Sequence, residues 1–208
     1  MKTSRTNDIP RLGAYSAAAG AVLSLSVPAA AGVIIIDTNV TVNSGNPLYE
    51  IDLNEDGTND CYFLWSGDSS TRYGSGAGTN GAELCTSGGN ARRFTTGQTI
   101  SSAAGSWSLA GPLFSFSVSS SSFTNGYFSN SDTGYVGVRF PVDGGNHTNY
   151  GWVYVSLVGA NGNRFKITEY GYGDEGEPVY AGLIPEPGTG LATLALGAAG
   201  VAARRRGK

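Results

Sequence analysis

The segment Asp52-Leu53-Asn54-Glu55-Asp56-Gly57-Thr58-Asn59-Asp60 sets oxygen-bearing side chains at positions 1, 3, 5 and 9 of a loop, with glycine at position 6. A hard divalent cation takes roughly six to eight oxygen ligands, and this spacing wraps a chain around one. Asp52, Asn54 and Asp56 are expected to point inward, Gly57 to make the sharp turn, and Thr58 to offer its carbonyl. Asp60 would bind directly or through water. The ion such a set takes is calcium.

The loop departs from an EF-hand in two respects. Position 12 is Phe63, where a bidentate glutamate would stand, and the flanks Leu48–Ile51 and Cys61–Trp65 have the composition of strands rather than helices. The expectation is a β-flanked calcium loop of modest affinity, unless another part of the chain replaces position 12. The same Asn, Asp and Gly residues also favour a solvated hairpin turn, and the sequence leaves both readings open.

Nucleophilic and metal-hydrolase chemistry finds little support. Gly67-Asp68-Ser69-Ser70 is superficially similar to the nucleophile block of GDSL-type esterases, but the required Asp-x-x-His is missing. His147 is the sole histidine, which excludes a multi-histidine zinc site, and it falls in a Gly/Asn-rich stretch that reads as a surface turn. No Gly-x-Ser-x-Gly, His-Glu-x-x-His or phosphate-cradling loop occurs. Carboxylate pairs for glycoside hydrolysis depend on spatial separation, and nothing in the sequence selects two of the available acids. Trp65, Tyr73, Trp107, Tyr127, Tyr150 and Trp152 could stack on sugars where they stay exposed, although core packing is the commoner fate of such rings.

These residues sit in a chain built for strands. Glycine occupies 32 of 208 positions, roughly twice ordinary usage, and charged residues make up only 14 %, which argues against a coiled coil or helical bundle. Short runs rich in β-branched and aromatic residues recur at Val33–Val42, Leu48–Asp52, Cys61–Trp65, Leu113–Val118, Tyr135–Phe140, Trp152–Val158, Arg164–Tyr172 and Val179–Leu183, separated by Gly, Asn, Asp or Ser clusters. Alternation is clearest in Val136, Val138, Phe140 and in Val153, Val155, Leu157. The fold class this predicts is all-β: one antiparallel β-sandwich or jelly-roll-like domain over residues 32–184. Residues 66–111, dense in Gly, Ser, Thr and Asn, are expected to form long loops or irregular edge strands, and Ser119-Ser120-Ser121-Ser122 a turn.

The two ends have a different character. Lys2, Arg5 and Arg11 precede a weakly apolar stretch, Leu12 to Val27, and Pro28-Ala29-Ala30-Ala31 supplies the small residues of a signal-peptidase site, so residues 1–31 read as a signal peptide. At the other end Pro185-Glu186-Pro187 precedes an apolar run, 188–203, and then Arg204-Arg205-Arg206. Sixteen helical residues span only about 24 Å, a marginal transmembrane helix, and the arginines hold its end on the cytoplasmic side. The body between, 32–184, carries six basic against fourteen acidic residues, a net charge of −8. An acidic body repels phosphate backbones, so nucleic acid is not an expected partner.

The tail 185–208 resembles the PEP-CTERM sorting signal of exosortase-processed bacterial surface proteins. The matching parts are Pro185-Glu186-Pro187, the apolar segment 188–203 and the basic cluster Arg204, Arg205 and Arg206. The segments Gly144–Val153 and Ile167–Gly182 are similar to stretches common in the bodies of such proteins. The resemblance implies transient anchoring in the inner membrane, recognition and cleavage by an exosortase near Pro-Glu-Pro, and release or transfer to the cell surface, commonly in bacteria that make exopolysaccharide. Asp-rich segments like 52–60 are also frequent in these proteins.

In an exported chain the even pair Cys61 and Cys85 favours a disulfide. The bridge would tether the 66–84 segment and, by loop closure, add on the order of 3 kcal/mol. The expectation for function is a non-enzymatic surface or extracellular-matrix protein stabilised by calcium. The alternative is a module that binds extracellular polysaccharide; a secreted glycosidase or lyase has less behind it.

Overall fold

The structure is a computed structural model and describes residues 33–183 apart from 130, 143, 144, 146 and 160. Among the described residues there are fifteen strands and no α-helix. In chain order they are β1 (Ile34–Asn43), β2 (Leu48–Ile51), β3 (Cys61–Gly67), β4 (Thr71–Gly78), β5 (Glu83–Ser87), β6 (Asn90–Ala91), β7 (Arg93–Phe94) and β8 (Thr99–Ile100). There follow β9 (Ser106–Ser108), β10 (Ala110–Ser117), β11 (Ser122–Gly126), β12 (Thr133–Val142), β13 (His147–Leu157), β14 (Arg164–Tyr172) and β15 (Val179–Tyr180). All of the strands expected from composition are present, with ends shifted by a few residues.

Pairing is antiparallel throughout. The larger sheet runs β1-β14-β13-β12-β5-β6, with β7 added to β12 and β9 to β5. The smaller runs β11-β10-β4-β3-β2. A two-stranded ribbon joins β15 to β8. The alternating apolar residues of β12 and β13 pair across their ladder, Val136 with Val153 and Val138 with Gly151, so their valines share one face. That face packs on the smaller sheet: Val136, Val138, Phe140, Val153, Val155, Phe165 and Ile167 meet Ile51, Cys61, Phe63, Leu113 and Phe114 in one buried cluster. Each fully buried side chain of this size contributes about 1.5–3 kcal/mol relative to exposure.

Residues 66–111 depart from expectation. They hold six strands rather than loops, and Gly-rich β4 lies in the middle of the smaller sheet. The glycines make room. A Cβ at Gly74 would overlap the Phe114 ring, and one at Gly76 would come within 2.8 Å of Leu84 Cδ1. The large side chains of neighbouring elements fill the space above a strand that has none of its own, so burial overrides poor local strand propensity. The shorter β6 to β9 are the irregular pieces foreseen, and the serine run does form the turn before β11.

The larger sheet is covered on its other face as well. Cys85, Phe94, Ile100, Tyr135, Tyr150, Trp152, Val179 and Ala181 form a second buried cluster beneath the β8–β15 ribbon. Trp152 is its largest fully buried side chain, packed edge-to-face on Tyr135 with ring centroids 5.1 Å apart. The central strands β12 and β13 are therefore buried on both faces.

Candidate functional site

The segment 52–60 is the connection of a hairpin whose register is set by Ile51 opposite Cys61 and by Asp60 N–H donating to the Ile51 carbonyl at 2.9 Å. Leu53 is wholly buried and anchors the loop in the inter-sheet core, while Asn54 is half-buried and Glu55 to Thr58 stay in solvent. The Asp52 carboxylate accepts the N–H groups of Asp56 at 3.1 Å and Gly57 at 2.7 Å. Asp56 accepts Thr58 N–H at 2.8 Å and the Asn54 amide at 3.0 Å. Gly57, at φ +89°, makes the turn the sequence assigns to it. Asp52, Asn54 and Asp56 are thus brought together, each already holding the backbone of the loop.

Asp60 is the buried member, 5 % exposed, and accepts the Leu53 N–H at 2.8 Å. Burial pushes its carboxyl up to about 6; the Leu53 bond opposes this, and the Asp52 and Asp56 charges add to it. The two residues that follow β4 lock the loop's exit: Thr79 Oγ1 and Asn80 Nδ2 both donate to the Asn59 carbonyl. The loop's field reaches the other sheet. Tyr170 is raised to about 12 by burial, with Tyr49, Glu55 and Asp52 contributing, and Tyr172 is raised by burial, Glu55 and Asp52. Among the described residues, no group of three or more His, Cys, Asp or Glu side chains is spaced as a metal cage.

The expected disulfide is not formed. Cys61 and Cys85 are both buried free thiols. The reason is the pleat: on β5, Leu84 points into the inter-sheet core beside Cys61, and the next residue, Cys85, points to the opposite face of the larger sheet. Burial drives the Cys61 thiol far above its ordinary range and lifts Cys85 to about 11 against the pull of Arg92 and Arg139.

The aromatic residues considered for sugar stacking divide. Trp152 and Tyr150 are core residues and present no face to solvent. Trp65 is half-buried and donates Nε1–H to the Gly162 carbonyl at 2.9 Å; Trp107 lies under the Arg139 guanidinium. Tyr73 and Tyr127 are exposed. His147 opens β13 instead of lying in the turn before it.

With this geometry established, the comparison with known families locates one match, the PEP-CTERM protein-sorting motif over residues 183–206. The chain carries a PEP-CTERM sorting motif. It is therefore an exported protein processed by exosortase, passing through the membrane to the surface or exterior. The match covers the tail, and the motif residues Pro185, Glu186, Pro187, Arg204, Arg205 and Arg206 lie outside the described residues, as do residues 1–31, expected to be a signal peptide, and the apolar segment 188–203. No helix among the described residues is long and apolar enough to cross a membrane. No curated protein and no solved structure matches the chain.

Proposed function

We propose that this chain is a non-enzymatic component of the cell surface or extracellular matrix whose β domain is stabilised by calcium at the 52–60 loop. The observation that carries the reading is the convergence of Asp52, Asp56 and Asp60 charges at a carboxyl that burial already disfavours as an anion. A hard cation with oxygen ligands would relieve that repulsion by drawing these carboxylates inward, on a loop whose path the backbone N–H bonds to Asp52 and Asp56 already outline. Asn54 and the Thr58 carbonyl complete the protein's oxygen set, and water fills the place of the missing position-12 glutamate. An affinity in the range of extracellular modules, roughly 10⁻⁴ to 10⁻³ M, is enough outside the cell.

The test is calorimetric titration of the mature exported chain with calcium, paired with thermal melts in calcium and in chelator. Calcium at about a hundred times its Kd is expected to add about 2.7 kcal/mol of stability, lost in the Asp52→Asn, Asp56→Asn double variant. Absence of a binding heat together with superimposable melts would remove calcium from the account, leaving the surface role to the sorting motif alone.

A further inference from the structure

A cleft of about 660 Å³ opens where β6, the edge of the larger sheet, faces β11, the edge of the smaller. Its size falls within the roughly 300–1,000 Å³ of small-molecule sites, but its lining is unlike the mostly apolar lining usual there. Seven of its nine lining residues carry a hydroxyl or an amide, among them Asn90, Ser121, Ser122, Thr124, Asn125 and Ser129, and none is charged. The seventh is Tyr127, 43 % exposed.

We propose that this cleft binds a neutral saccharide, with one sugar ring stacked on Tyr127 and its hydroxyls bonded to the surrounding Ser, Thr and Asn side chains. An apolar ligand would strip water from these hydroxyls and amides without replacing it, at a cost for each unpaired group. An anionic ligand would meet no cation in the lining and an acidic body around it. A polyhydroxylated ring fits both features, offering many directional donors and acceptors at its rim and an apolar C–H face for one aromatic.

The platform is held in place before any ligand arrives. Tyr127 Oη–H donates to Ser87 Oγ at 3.0 Å, tying the ring to the end of β5 in the other sheet. Gly126, just before it, has φ +94°, and a side chain there would run into the Leu113 carbonyl, so the backbone turns sharply at this point. Thr124 Oγ1 bonds Ser115 Oγ at 3.1 Å, and Ser129 bonds Asp132 through both N–H and hydroxyl. A pre-set site loses less freedom on binding. No carboxylate lines the cleft, so the proposal is independent of the calcium loop.

The experiment uses the mature exported chain with neutral hexasaccharides of the cello-, laminari-, manno- and galacto- series, and oligogalacturonate as the charged control. Binding is measured by calorimetry, and the ring contact by saturation-transfer NMR on the unmodified protein. At least one neutral series is expected to bind, Tyr127→Ala to weaken it about tenfold, and Tyr127→Phe to retain most of it because the ring face remains. Ser122→Trp, which fills the cleft from an exposed position, is expected to abolish binding with the melting temperature unchanged. No binding to any neutral series at millimolar concentration, binding confined to oligogalacturonate, or binding indifferent to Tyr127→Ala would each overturn the proposal. So would a concentration-dependent dimer lost in Ser122→Trp, which would give the β11 edge to a second copy of the chain.

Discussion

Asp37 of β1 and Glu169 of β14 stand directly opposite each other across an antiparallel ladder. Two carboxylates in that relationship repel, and the half-buried Glu169 is raised above the ordinary glutamate range, first by burial and then by Asp37. A carboxyl raised on folding binds its proton more tightly in the folded state. Its stabilising contribution is complete below the unfolded value of about 4.3 and is lost as pH rises through the folded value. Asp37→Asn removes part of the repulsion. The variant is expected to gain a few tenths of a kcal/mol at neutral pH and nothing near pH 3, read from denaturant midpoints at the two pH values. An equal gain at both would mean that the pair is not the cause.

Asp60 follows the same sign, its carboxyl raised from an ordinary 3.8 to about 6. Without calcium, stability is expected to fall between those values as the buried anion forms beside Asp52 and Asp56. Asp60→Asn keeps an acceptor for Leu53 N–H and removes the charge. Calcium-free melts of the variant should therefore lie above those of the parent at pH 7 and coincide with them near pH 3, whereas the calcium-dependent rise should shrink. A variant that melts lower than its parent at pH 7 would show that charge repulsion does not govern this site.

The two thiols are separated by the larger sheet, and burial disfavours both thiolates. Ellman's reagent is expected to find no reactive thiol in the native protein and two after denaturation without reductant. Two labelled thiols in the native state, or none after denaturation, would contradict this arrangement.

Trp152 supports the second core and makes a specific prediction about its nitrogen. Its indole N–H is buried with no acceptor among the described residues. Trp152→Ala is expected to cost about 3–5 kcal/mol through the cavity it leaves. Trp152→Phe loses less volume and also removes the unpaired donor, so it should cost well under half of that in urea unfolding. Equal losses for the two variants would indicate that the N–H is paired after all.

Gly74 on central β4 allows the Phe114 ring to lie against the backbone. Gly74→Ala, a change that ordinarily favours strands, is expected here to destabilise by about 1–3 kcal/mol from overpacking, measured from the denaturant midpoint. Restoration in the Gly74→Ala, Phe114→Leu double variant would locate the strain at that contact.

Much of the architecture was legible along the chain because it is local. Alternation in Val136–Phe140 and Val153–Leu157 assigns strands, the Asp/Asn/Gly spacing assigns the β2–β3 connection, and Pro185-Glu186-Pro187 with its basic end assigns export, each from residues adjacent in sequence. What the sequence could not assign were relationships that a period of two leaves open: which strands are neighbours, and which face of a sheet meets which partner. β4 carries almost no apolar side chains, so its central place depends on Phe114, Phe63 and Leu84, supplied from elsewhere in the chain. Cys85 faces away from Cys61 because Leu84 takes the inner face. Trp152 is enclosed by the β8–β15 ribbon, whereas Tyr127 stays exposed at the edge where the two sheets end. Side-chain type and spacing determined the strands, the acidic loop and the sorting address; packing between distant strands determined which rings are core, which thiols can meet and where a cleft remains open.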